Sequence, residues 1–429
     1  MLPVRVLLLG AGGREHALAC KFSESPRLQQ LFAMPGNPGI AEVAQCIPGN
    51  PLDFDHVAAQ IRTLQIDYLL VGPEKPLAEG IVNYLEAQDL PTLKGIIGPR
   101  KEGAILESSK IFSKRFMQEF GIPTADARFF DESELNAALD FARLRGGRIV
   151  VKADGLTGGK GVVVADNIEE AEAAITNMLT DRTLGEAGDR ILLEEVLEGQ
   201  ECSCFVLVGG NTFTLMPMAK DYKRAGDGET GPNTGGMGSI SPVPFADVAF
   251  EERVLERIVR PTLAGLKQRG ITYRGVLFIG LMVEDGEPKA IEYNVRMGDP
   301  ETQSVLLRLD GDIVDLMEAC AHDRLNNGRA TVLPHTVCTV VVCAGGYPGH
   351  FMRGIPIGMP AKLMPGCHIF HAGTALNATG GLSSAGGRVL NVSATAPTLA
   401  QARQLAYEQL AQIQYKDRYY RFDIGMDVL

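Results

Sequence analysis

The first hundred residues alternate short apolar runs with helix-like segments, which leaves few folds open to them. Residues 4–9, 31–34 and 68–71 read as buried strands, and residues 57–64 carry apolar side chains at helical spacing. Strands that alternate with helices form parallel sheets, because each helix returns the chain along one face of the sheet. Ligands of such sheets bind at the carboxyl ends of the strands. The sequence therefore predicts an α/β fold that begins with a parallel-sheet domain.

A glycine-rich turn follows the first predicted strand, at residues 10–13. Such a turn at the start of a helix exposes N–H groups that bind anions. The dinucleotide fingerprint is incomplete, because Glu15 stands at the third glycine position and the second strand ends without an acidic residue. We interpret the turn as a site for a small phosphorylated or sugar ligand rather than NAD. A tight turn that serves packing alone is the alternative.

The length of 429 residues predicts about three domains. We expect a parallel-sheet domain at residues 1–104, a two-lobed core at 105–328 and a small C-terminal α+β domain at 329–429. Within the core, residues from about 124 to 193 form a small mobile lobe.

Two local predictions concern segments at the edges of these lobes. Apolar side chains at helical spacing predict one helix over residues 102–120, with Lys110 near its middle. Residues 225–238 are polar and rich in glycine, which is typical of a loop.

A strand, a glycine-rich turn and a second strand are predicted over residues 149–164. The glycines allow close approach of the backbone to phosphate oxygens, and Lys152 and Lys160 supply positive charge. The turn is not a Walker A loop, because Gly161 follows the Gly-Lys pair and no helix pattern begins there. A plain hairpin explains the glycines but not the two lysines.

A further strand places Glu292, Asn294 and Arg296 at alternate positions, so their side chains share one face. Hard oxygen ligands beside a permanent cation suit Mg²⁺ and a transferring phosphate. A solvent-facing polar side of a strand is the alternative interpretation.

The charge, hydrophobicity and cysteine content of the sequence limit the kinds of partner and the compartment that we expect for the protein. The net charge of −11 argues against a general nucleic-acid binder, and no apolar run approaches the length of a membrane span. The eight cysteines lack a Cys-x-x-Cys pair, which predicts reduced thiols in a cytoplasmic protein. In an acidic chain, cations that bind anionic substrates must be gathered locally. The candidates are Lys110, Lys152, Lys160, Lys223, Arg224 and Arg296.

Taken together, these elements resemble the ATP-grasp superfamily. The likeness is carried by Lys152, the glycine-rich hairpin, Glu194-Glu195-Val196-Leu197 and the Glu-x-Asn-x-Arg strand. Within that superfamily the chain resembles the glycinamide ribonucleotide synthetase (phosphoribosylamine–glycine ligase) family of de novo purine synthesis. Four motifs carry this second likeness, at residues 13–18, 35–37, 230–238 and 296–303, and it covers nearly the whole chain.

The resemblance implies an ATP site and a metal site. The implied ATP-binding residues are Lys110, Lys152, Gly158, Gly159, Lys160, Gly161, Glu194, Glu195, Val196, Leu197 and Glu201. Glu292 and Asn294 are implied ligands of Mg²⁺ or Mn²⁺. Many superfamily members add a carboxylate from the preceding strand, but here that strand carries Gly280, which leaves the number of metal ligands open and disfavours a biotin-carboxylase-like function.

The resemblance also implies residues for glycine and 5-phosphoribosylamine. They are Gly12, Gly13, Arg14, His16, Asn37, Pro73, Glu74, Lys223, Arg224, Gly236, Gly238, Arg296 and Asp299. The implied catalytic residues are Lys152, Arg296, which steadies the transferred phosphoryl group, and Asp299, which receives the glycine ammonium.

The implied reaction joins glycine to 5-phosphoribosylamine through glycyl phosphate, giving glycinamide ribonucleotide, ADP and phosphate. We expect a monomer or a weak dimer with small-molecule substrates, no nucleic acid or membrane partner, and room for transient contacts with neighbouring pathway enzymes. An ATP-grasp ligase with another acceptor and a non-catalytic nucleotide sensor are the rival hypotheses.

Overall fold

The computed structural model describes residues 2–158 and 161–429. The N-terminal elements are β1 (Val4–Gly10), α1 (Gly13–Ser23), β2 (Leu28–Pro35), β3 (Gln45–Cys46), α2 (Phe54–Leu64), β4 (Tyr68–Val71), α3 (Glu74–Glu79), α4 (Ile81–Glu86) and β5 (Gly95–Ile97). The strands pair in parallel in the order β3-β2-β1-β4-β5. The predicted parallel sheet is confirmed, with β1 at its centre and buried except at Arg5.

A small antiparallel lobe follows two helices, α5 (Lys101–Ser108) and α6 (Lys110–Glu119). It consists of β6 (Ala127–Asp131), α7 (Leu135–Leu144), β7 (Ile149–Ala153), β8 (Val162–Ala165), α8 (Ile168–Leu179) and β9 (Arg190–Glu194). Its sheet has the order β6-β9-β7-β8. Helices α7 and α8 pack on that sheet, and together they form a separate hydrophobic core. This separate core is a physical basis for movement of the lobe as a unit.

The larger lobe continues from the same chain. Its elements are β10 (Gln200–Gly209), β11 (Thr212–Leu215), β12 (Lys220–Asp221), β13 (Arg224–Gly226), β14 (Thr230–Asn233), β15 (Gly238–Ser241), α9 (Val248–Val254), α10 (Arg260–Gln268), β16 (Arg274–Glu284), β17 (Glu287–Asn294), α11 (Glu301–Arg308), α12 (Ile313–Ala321) and β18 (Gly328–Arg329). A sheet of order β17-β16-β10-β11-β18 is its platform. Its apolar faces share continuous cores with the N-terminal sheet, which joins the two units firmly.

The C-terminal elements are β19 (Thr336–Ala344), β20 (Ile357–Gly358), β21 (Cys367–His371), β22 (Thr374–Leu376), β23 (Leu382–Ser384), β24 (Arg388–Ala396), α13 (Leu399–Ala411), β25 (Gln414–Tyr415) and β26 (Arg418–Tyr419). Strands β12 and β15 join this sheet, in the order β12-β15-β19-β24-β21. The α+β character of the region is confirmed, but its sheet is completed by residues that precede it by about a hundred positions.

Two segments differ from their sequence-based predictions. The glycine-rich stretch 225–238 is a hairpin rather than a loop, because β13 pairs with β14. The resemblance implies a strand over residues 194–197 that links the two lobes, but the strand ends at Glu194, and residues 195–198 have no regular secondary structure.

The prediction of a single helix over residues 102–120 is wrong, because the helix is interrupted at Ser109. Its backbone is extended, with φ −135° and ψ 109°, and its hydroxyl accepts a hydrogen bond from Phe112 N. The Asp154 carboxylate accepts hydrogen bonds from Ile111 N at 2.9 Å and from the Ser109 hydroxyl at 2.8 Å. A buried acceptor just after β7 thus supports the start of a new helix, which places Lys110 in its first turn rather than mid-helix.

We expect Asp154→Ala to destabilise the protein by about 1–3 kcal/mol, because it leaves a buried N–H and a hydroxyl without their acceptor. Urea unfolding measures the loss. Asp140→Ala is the matched control, since Asp140 is exposed and pairs with Arg143 at 3.0 Å on the same small lobe. Equal effects of the two substitutions would contradict the capping role of Asp154.

In the part of the chain that the structure describes, no helix is long and apolar enough to cross a bilayer.

Candidate functional site

A cleft of about 610 Å³ lies between the small lobe, the larger lobe and the N- and C-terminal units. Sixteen of the predicted site residues line it: Arg14, Glu74, Lys110, Lys152, Gly158, Glu194, Glu195, Val196, Leu197, Glu201, Lys223, Arg224, Glu292, Asn294, Arg296 and Asp299. Residues from positions 14 to 299 of the sequence therefore meet in one place.

Two lysines and a carboxylate form a buried group on the small-lobe side of the cleft. Lys152 Nζ lies 2.7 Å from Glu194 Oε2, and Lys114 Nζ lies 3.0 Å from Glu194 Oε1. Burial acts to raise the pKa of Glu194, but the two ammonium groups outweigh it and hold that pKa below its ordinary value. Glu194 therefore carries the negative charge that keeps Lys152 buried and oriented.

Lys110 lies at the start of α6, beside the turn that follows β7. Its ammonium donates to Gly155 O at 3.0 Å. Burial, with help from the Lys152 charge, lowers its pKa, and Glu292 opposes that shift. The turn continues through Gly158, which has a φ of +59° and open space around its Cα. Gly159 and Lys160 lie outside the described residues.

Glu292, Asn294 and Arg296 face the cleft together, as the alternation predicts. Strand β17 ends at Asn294, so Arg296 lies just beyond the sheet. Arg296 Nη2 nevertheless donates to Asn294 Oδ1 at 3.2 Å. A register shift gives Gly280 the partner Glu292 and Leu281 the partner Ala290, which leaves the intervening position of β17 as a bulge.

Two carboxylates also hold the Arg296 guanidinium. Glu107 Oε1 lies 2.9 Å from Nη2, and Glu74 Oε2 lies 3.3 Å from Nε. Burial works against the Arg296 charge, but Glu107 and Glu74 outweigh it and raise the pKa. The guanidinium is thus fixed in position and permanently charged.

A second group of charges surrounds Lys223 on the larger lobe. Lys223 Nζ lies 2.7 Å from Glu201 Oε2. Asp221 and Glu301 are buried on the same side of the cleft. Burial raises the pKa of Asp221 to about 8, against the opposing charge of Lys223, and Glu301 adds to the shift. Burial likewise raises the pKa of Glu301.

Asp299 joins the N-terminal and C-terminal walls of the cleft. Its Oδ1 accepts from Gln303 Nε2 at 2.8 Å, and its Oδ2 lies 3.2 Å from Arg388 Nη2. A Cβ on Gly12 would lie 3.6 Å from the same Oδ2. That separation is an ordinary van der Waals contact, so the start of α1 lies beside the Asp299 carboxylate.

In the glycine-rich turn at residues 10–13, one backbone N–H is hydrogen-bonded within the protein. Gly12 N donates to Glu15 Oε2 at 2.7 Å, and Arg14 Nε lies 2.6 Å from Glu15 Oε1. Glu15, which breaks the dinucleotide fingerprint, therefore caps its own helix. One of the N–H groups that the sequence offered to an anion is already occupied.

Eight other predicted site residues do not line the cleft: Gly12, Gly13, His16, Asn37, Pro73, Gly161, Gly236 and Gly238. His16 Nδ1 accepts from His371 N at 2.7 Å, and Asn37 Nδ2 donates to His371 O at 2.9 Å. Burial and the neighbouring His371 lower the pKa of His16 to about 3, so it is a neutral acceptor at pH 7. Both residues join the N- and C-terminal units.

The glycines among these residues permit close packing. A Cβ on Gly13 would meet Asn391 Nδ2 at 2.2 Å, and one on Gly236 would meet Pro300 Cδ at 2.4 Å. A Cβ on Gly238 would lie 2.7 Å from Thr339 O. Pro73 is the residue before the first turn of α3 and so positions Glu74.

The sequence interpretation missed several cleft residues. Glu107 and Lys114 stand three before and four after Lys110, a helical spacing that could have drawn attention to them. Asp221 stands two positions before Lys223, which is the alternation of a strand. No short sequence pattern points to Arg388, because it is far from Asp299 in the sequence and the two side chains come together only in the folded protein.

The donor set was compared with the needs of a divalent cation. Among residues 2–158 and 161–429, no group of three or more His, Cys, Asp or Glu side chains has the geometry of a metal site. Glu292 and Asn294 offer two hard oxygen ligands beside Lys110, Lys152 and Arg296. This set fits Mg²⁺ or Mn²⁺ shared with phosphate oxygens, because Mg²⁺ commonly takes one or two protein ligands and completes its shell from substrate and water.

Three family models match consecutive parts of the chain. They are the phosphoribosylglycinamide synthetase N domain at residues 4–107, its ATP-grasp (A) domain at 108–302 and its C domain at 337–427.

Known proteins extend this similarity over nearly the full length. A phosphoribosylamine–glycine ligase of Rhizobium meliloti is 43% identical over 422 residues, which is 98% of each chain. The crystal structure of the ligase of that name from Thermotoga maritima has a TM-score of 0.84 at 32% identity, and the match covers 98% of this chain and 100% of that one. The biotin carboxylase domain of a Hydrogenobacter thermophilus 2-oxoglutarate carboxylase has a TM-score of 0.72 at 18% identity, covering 98% and 92%, which is a likeness of fold alone.

Proposed function

Because this chain belongs to the phosphoribosylglycinamide synthetase family, we propose that its central cleft holds ATP, glycine and 5-phosphoribosylamine together. The chain is an ATP-dependent ligase of purine biosynthesis that joins glycine to 5-phosphoribosylamine. The sequence-based predictions of family, fold class and enzyme are confirmed. The individual site residues stay predictions, and the contacts below are what supports them.

The nucleotide occupies the side of the cleft next to the small lobe. Lys110 and Lys152 contact its phosphates, and the turn that begins at Gly155 closes over them. Val196 and Leu197 line the cleft where the chain passes between the lobes, and their backbone groups bind the adenine edge. Glu201 receives the ribose hydroxyls. The Glu194 carboxylate contacts Lys152 and Lys114, so Glu194 also serves the nucleotide site by holding Lys152 in place.

Glu292 and Asn294, which line the cleft with Lys110 and Lys152, would hold a divalent cation. When bound, Mg²⁺ or Mn²⁺ neutralises charge on the phosphate oxygens. Glu292 stays ionised at neutral pH, because Lys223, Lys152 and Lys110 outweigh its burial and lower its pKa. Removal of the metal with EDTA should abolish activity, and added Mg²⁺ should restore it.

The acceptor occupies the opposite side, between the N- and C-terminal units. Arg14, Glu74 and Arg224 line this side, and Arg388 joins them. Lys223 lies where this side meets the nucleotide, since its ammonium is 2.7 Å from Glu201 Oε2. The guanidinium and ammonium groups suit the 5-phosphate of the acceptor. Asp299 is held between Gln303 and Arg388 with its carboxylate toward the cleft, which suits the glycine ammonium. Gly12, Gly13, His16, Asn37, Pro73, Gly236 and Gly238 support these walls through packing.

The reaction runs in two stages. The glycine carboxylate attacks the γ-phosphorus of ATP, forming glycyl phosphate and releasing ADP. The amine of 5-phosphoribosylamine then attacks the acyl carbon, loses a proton and expels phosphate. The fixed Arg296 guanidinium meets the charge that grows on the transferred phosphoryl group. The small lobe and its turn exclude water, which would otherwise hydrolyse the acyl phosphate.

Three broader features complete the proposal. The chain is divided at about residues 104 and 328, with the small lobe at 124–193 moving on its own core. The enzyme acts as a monomer or weak dimer on small molecules. It works in the cytoplasm, where its eight free cysteines stay reduced.

The observation that carries this proposal is the convergence of Lys110, Lys152, Glu292, Asn294 and Arg296 on one cleft. The test is to incubate the protein with MgATP, glycine and fresh 5-phosphoribosylamine and to follow ADP and glycinamide ribonucleotide together. We expect equimolar products that disappear when alanine replaces glycine. ADP without the ribonucleotide would move the acceptor elsewhere, and no ADP would contradict an ATP-dependent reaction.

We expect Asp299→Asn to raise the KM for glycine by about tenfold or more and to leave the KM for ATP nearly unchanged, because the glycine ammonium loses its charged partner. Arg388 loses the same partner, but it lies on the acceptor side of the cleft, away from the nucleotide. Steady-state kinetics with each substrate varied in turn checks this. The amide can still accept from Gln303, so the local packing survives. Equal losses for glycine and ATP would show that Asp299 is structural.

A further inference from the structure

The hairpin made by β13 and β14, called here the acceptor hairpin (residues 224–233), extends into solvent at its tip. Asp227, Gly228 and Glu229 are exposed there. Its base faces the cleft, where Arg224 and Asn233 form part of the lining together with Thr234 and Gly235. A two-stranded ribbon has little stability by itself, so contacts from elsewhere must set its position.

Residues 419–427, called here the closing segment, supply such contacts. The Arg421 side chain is 1% exposed although it carries a charge. It donates to Arg224 O at 3.1 Å, and its Nη2 lies 2.7 Å from Glu229 Oε1. One guanidinium therefore binds both the base and the tip of the acceptor hairpin.

Asp423 provides a second link between the closing segment and the acceptor hairpin. Its two carboxylate oxygens accept from Arg421 Nε and Nη2, each at 2.8 Å. Oδ2 also accepts from Gly228 N at the hairpin tip, at 2.7 Å. A bidentate pair of this kind is directional as well as strong, which fixes the plane of the guanidinium.

Two further hydrogen bonds join the closing segment to the acceptor hairpin. Phe422 N donates to Asp227 Oδ1 at 2.8 Å, and the Tyr419 hydroxyl donates to Ala225 O at 2.6 Å. The closing segment is itself fixed to α13, since the Tyr407 hydroxyl donates to Arg421 O at 2.6 Å and Arg403 Nε donates to Ile424 O at 2.9 Å. The hairpin is thus tied to the C-terminal unit through a rigid helix.

We infer that Arg421 and Asp423 are positioning residues for the ligase reaction, because they hold the acceptor hairpin and so set the wall formed by Arg224, Thr234 and Gly235. The inference rests on the proposed function, in which that wall binds 5-phosphoribosylamine. It assigns to this hairpin a fixed position in the unliganded protein.

The test compares Asp423→Asn, Glu229→Gln and Arg421→Lys with the unchanged protein. Hydrogen exchange of the peptide over residues 224–235 is measured without substrates, and KM values are measured for 5-phosphoribosylamine and for ATP. Glu256→Gln is the matched control, because Glu256 and Glu229 are both 58% exposed and Glu256 pairs with Arg260 at 2.8 Å on a helix.

We expect faster exchange in the hairpin peptide and a KM for 5-phosphoribosylamine raised about five- to tenfold in Asp423→Asn, as when one charge-assisted hydrogen bond is lost. Glu229→Gln should show the same changes to a smaller extent, with the KM for ATP unchanged, and Glu256→Gln should show neither change. If Arg421→Lys does not fold, the other two variants decide the matter.

Unchanged exchange in folded variants would overturn the inference, and so would faster exchange with an unchanged KM for 5-phosphoribosylamine. Failure of the proposed function gives a different result, because the unchanged protein would then make no glycinamide ribonucleotide. Hydrogen exchange would still decide whether Arg421 and Asp423 hold the hairpin.

Discussion

Arg296→Ala should lower kcat by about 10²–10³-fold with a much smaller change in KM for ATP, because the charge that Arg296 meets grows in the transition state. The structure supports this expectation by the way the side chain is held. Glu74, Glu107 and Asn294 fix the guanidinium at the cleft surface, so little reorganisation is needed when charge develops beside it. Steady-state and single-turnover kinetics measure the two parameters.

The same substitution leaves Glu107 buried without its cation, so loss of folding must be separated from loss of catalysis. The double variant Glu107→Gln/Arg296→Ala removes that buried charge. It should regain the thermal stability that Arg296→Ala loses, yet keep the low kcat. Recovery of kcat in the double variant, or a change in KM alone in the single variant, would show that Arg296 has a structural role.

Glu194→Gln should destabilise the protein by about 3–5 kcal/mol, because it leaves the buried Lys152 and Lys114 ammonium groups without their counter-charge. Both lysines are almost fully buried, with side chains 5% and 2% exposed. Urea unfolding at pH 7 measures the loss. Lys114→Met combined with Glu194→Gln should be less destabilised than the sum of the single variants, since it removes one of the uncompensated charges.

The stability deficit of Glu194→Gln should shrink as the pH rises. Burial already lowers the pKa of Lys114, and Glu194 opposes that shift. Without Glu194 the folded-state pKa falls further, so the unfolded chain binds more protons and unfolding is favoured at low pH. The deficit should therefore be smaller at pH 9 than at pH 7. A deficit independent of pH would mean that lost packing, not charge, causes it.

The parts of the site that lie on one element could be predicted from the sequence. The alternation of Glu292, Asn294 and Arg296 depends on strand geometry alone, and the structure brings the three together. Lys152 is likewise at the end of a short, strongly apolar strand. The alternating strands and helices at the N-terminus fix a parallel sheet for the same reason, since local periodicity decides them.

The rest of the site depends on contacts between distant residues. Asp154 ends one helix and starts another at Ser109, which no helical periodicity reveals. His16 and Asn37 have the chemistry of ligand-binding residues, but the backbone of His371 uses their polar atoms. Arg388 reaches Asp299 from a strand of the C-terminal unit. Such pairings follow from the fold, and one sequence does not encode them in any short pattern.

The pairing of β15 with β19 determines the order in which parts of the protein can fold during translation. Strand β15 ends at Ser241, and its partner begins at Thr336, roughly a hundred residues later. At a synthesis rate of about 5–20 residues per second, β15 waits ~5–20 s on the ribosome before that partner is made. The lysines of the small lobe emerge well before then, and residues 419–427 emerge after β19. A nascent chain therefore completes the wall that carries Lys152 before the wall that carries Arg224.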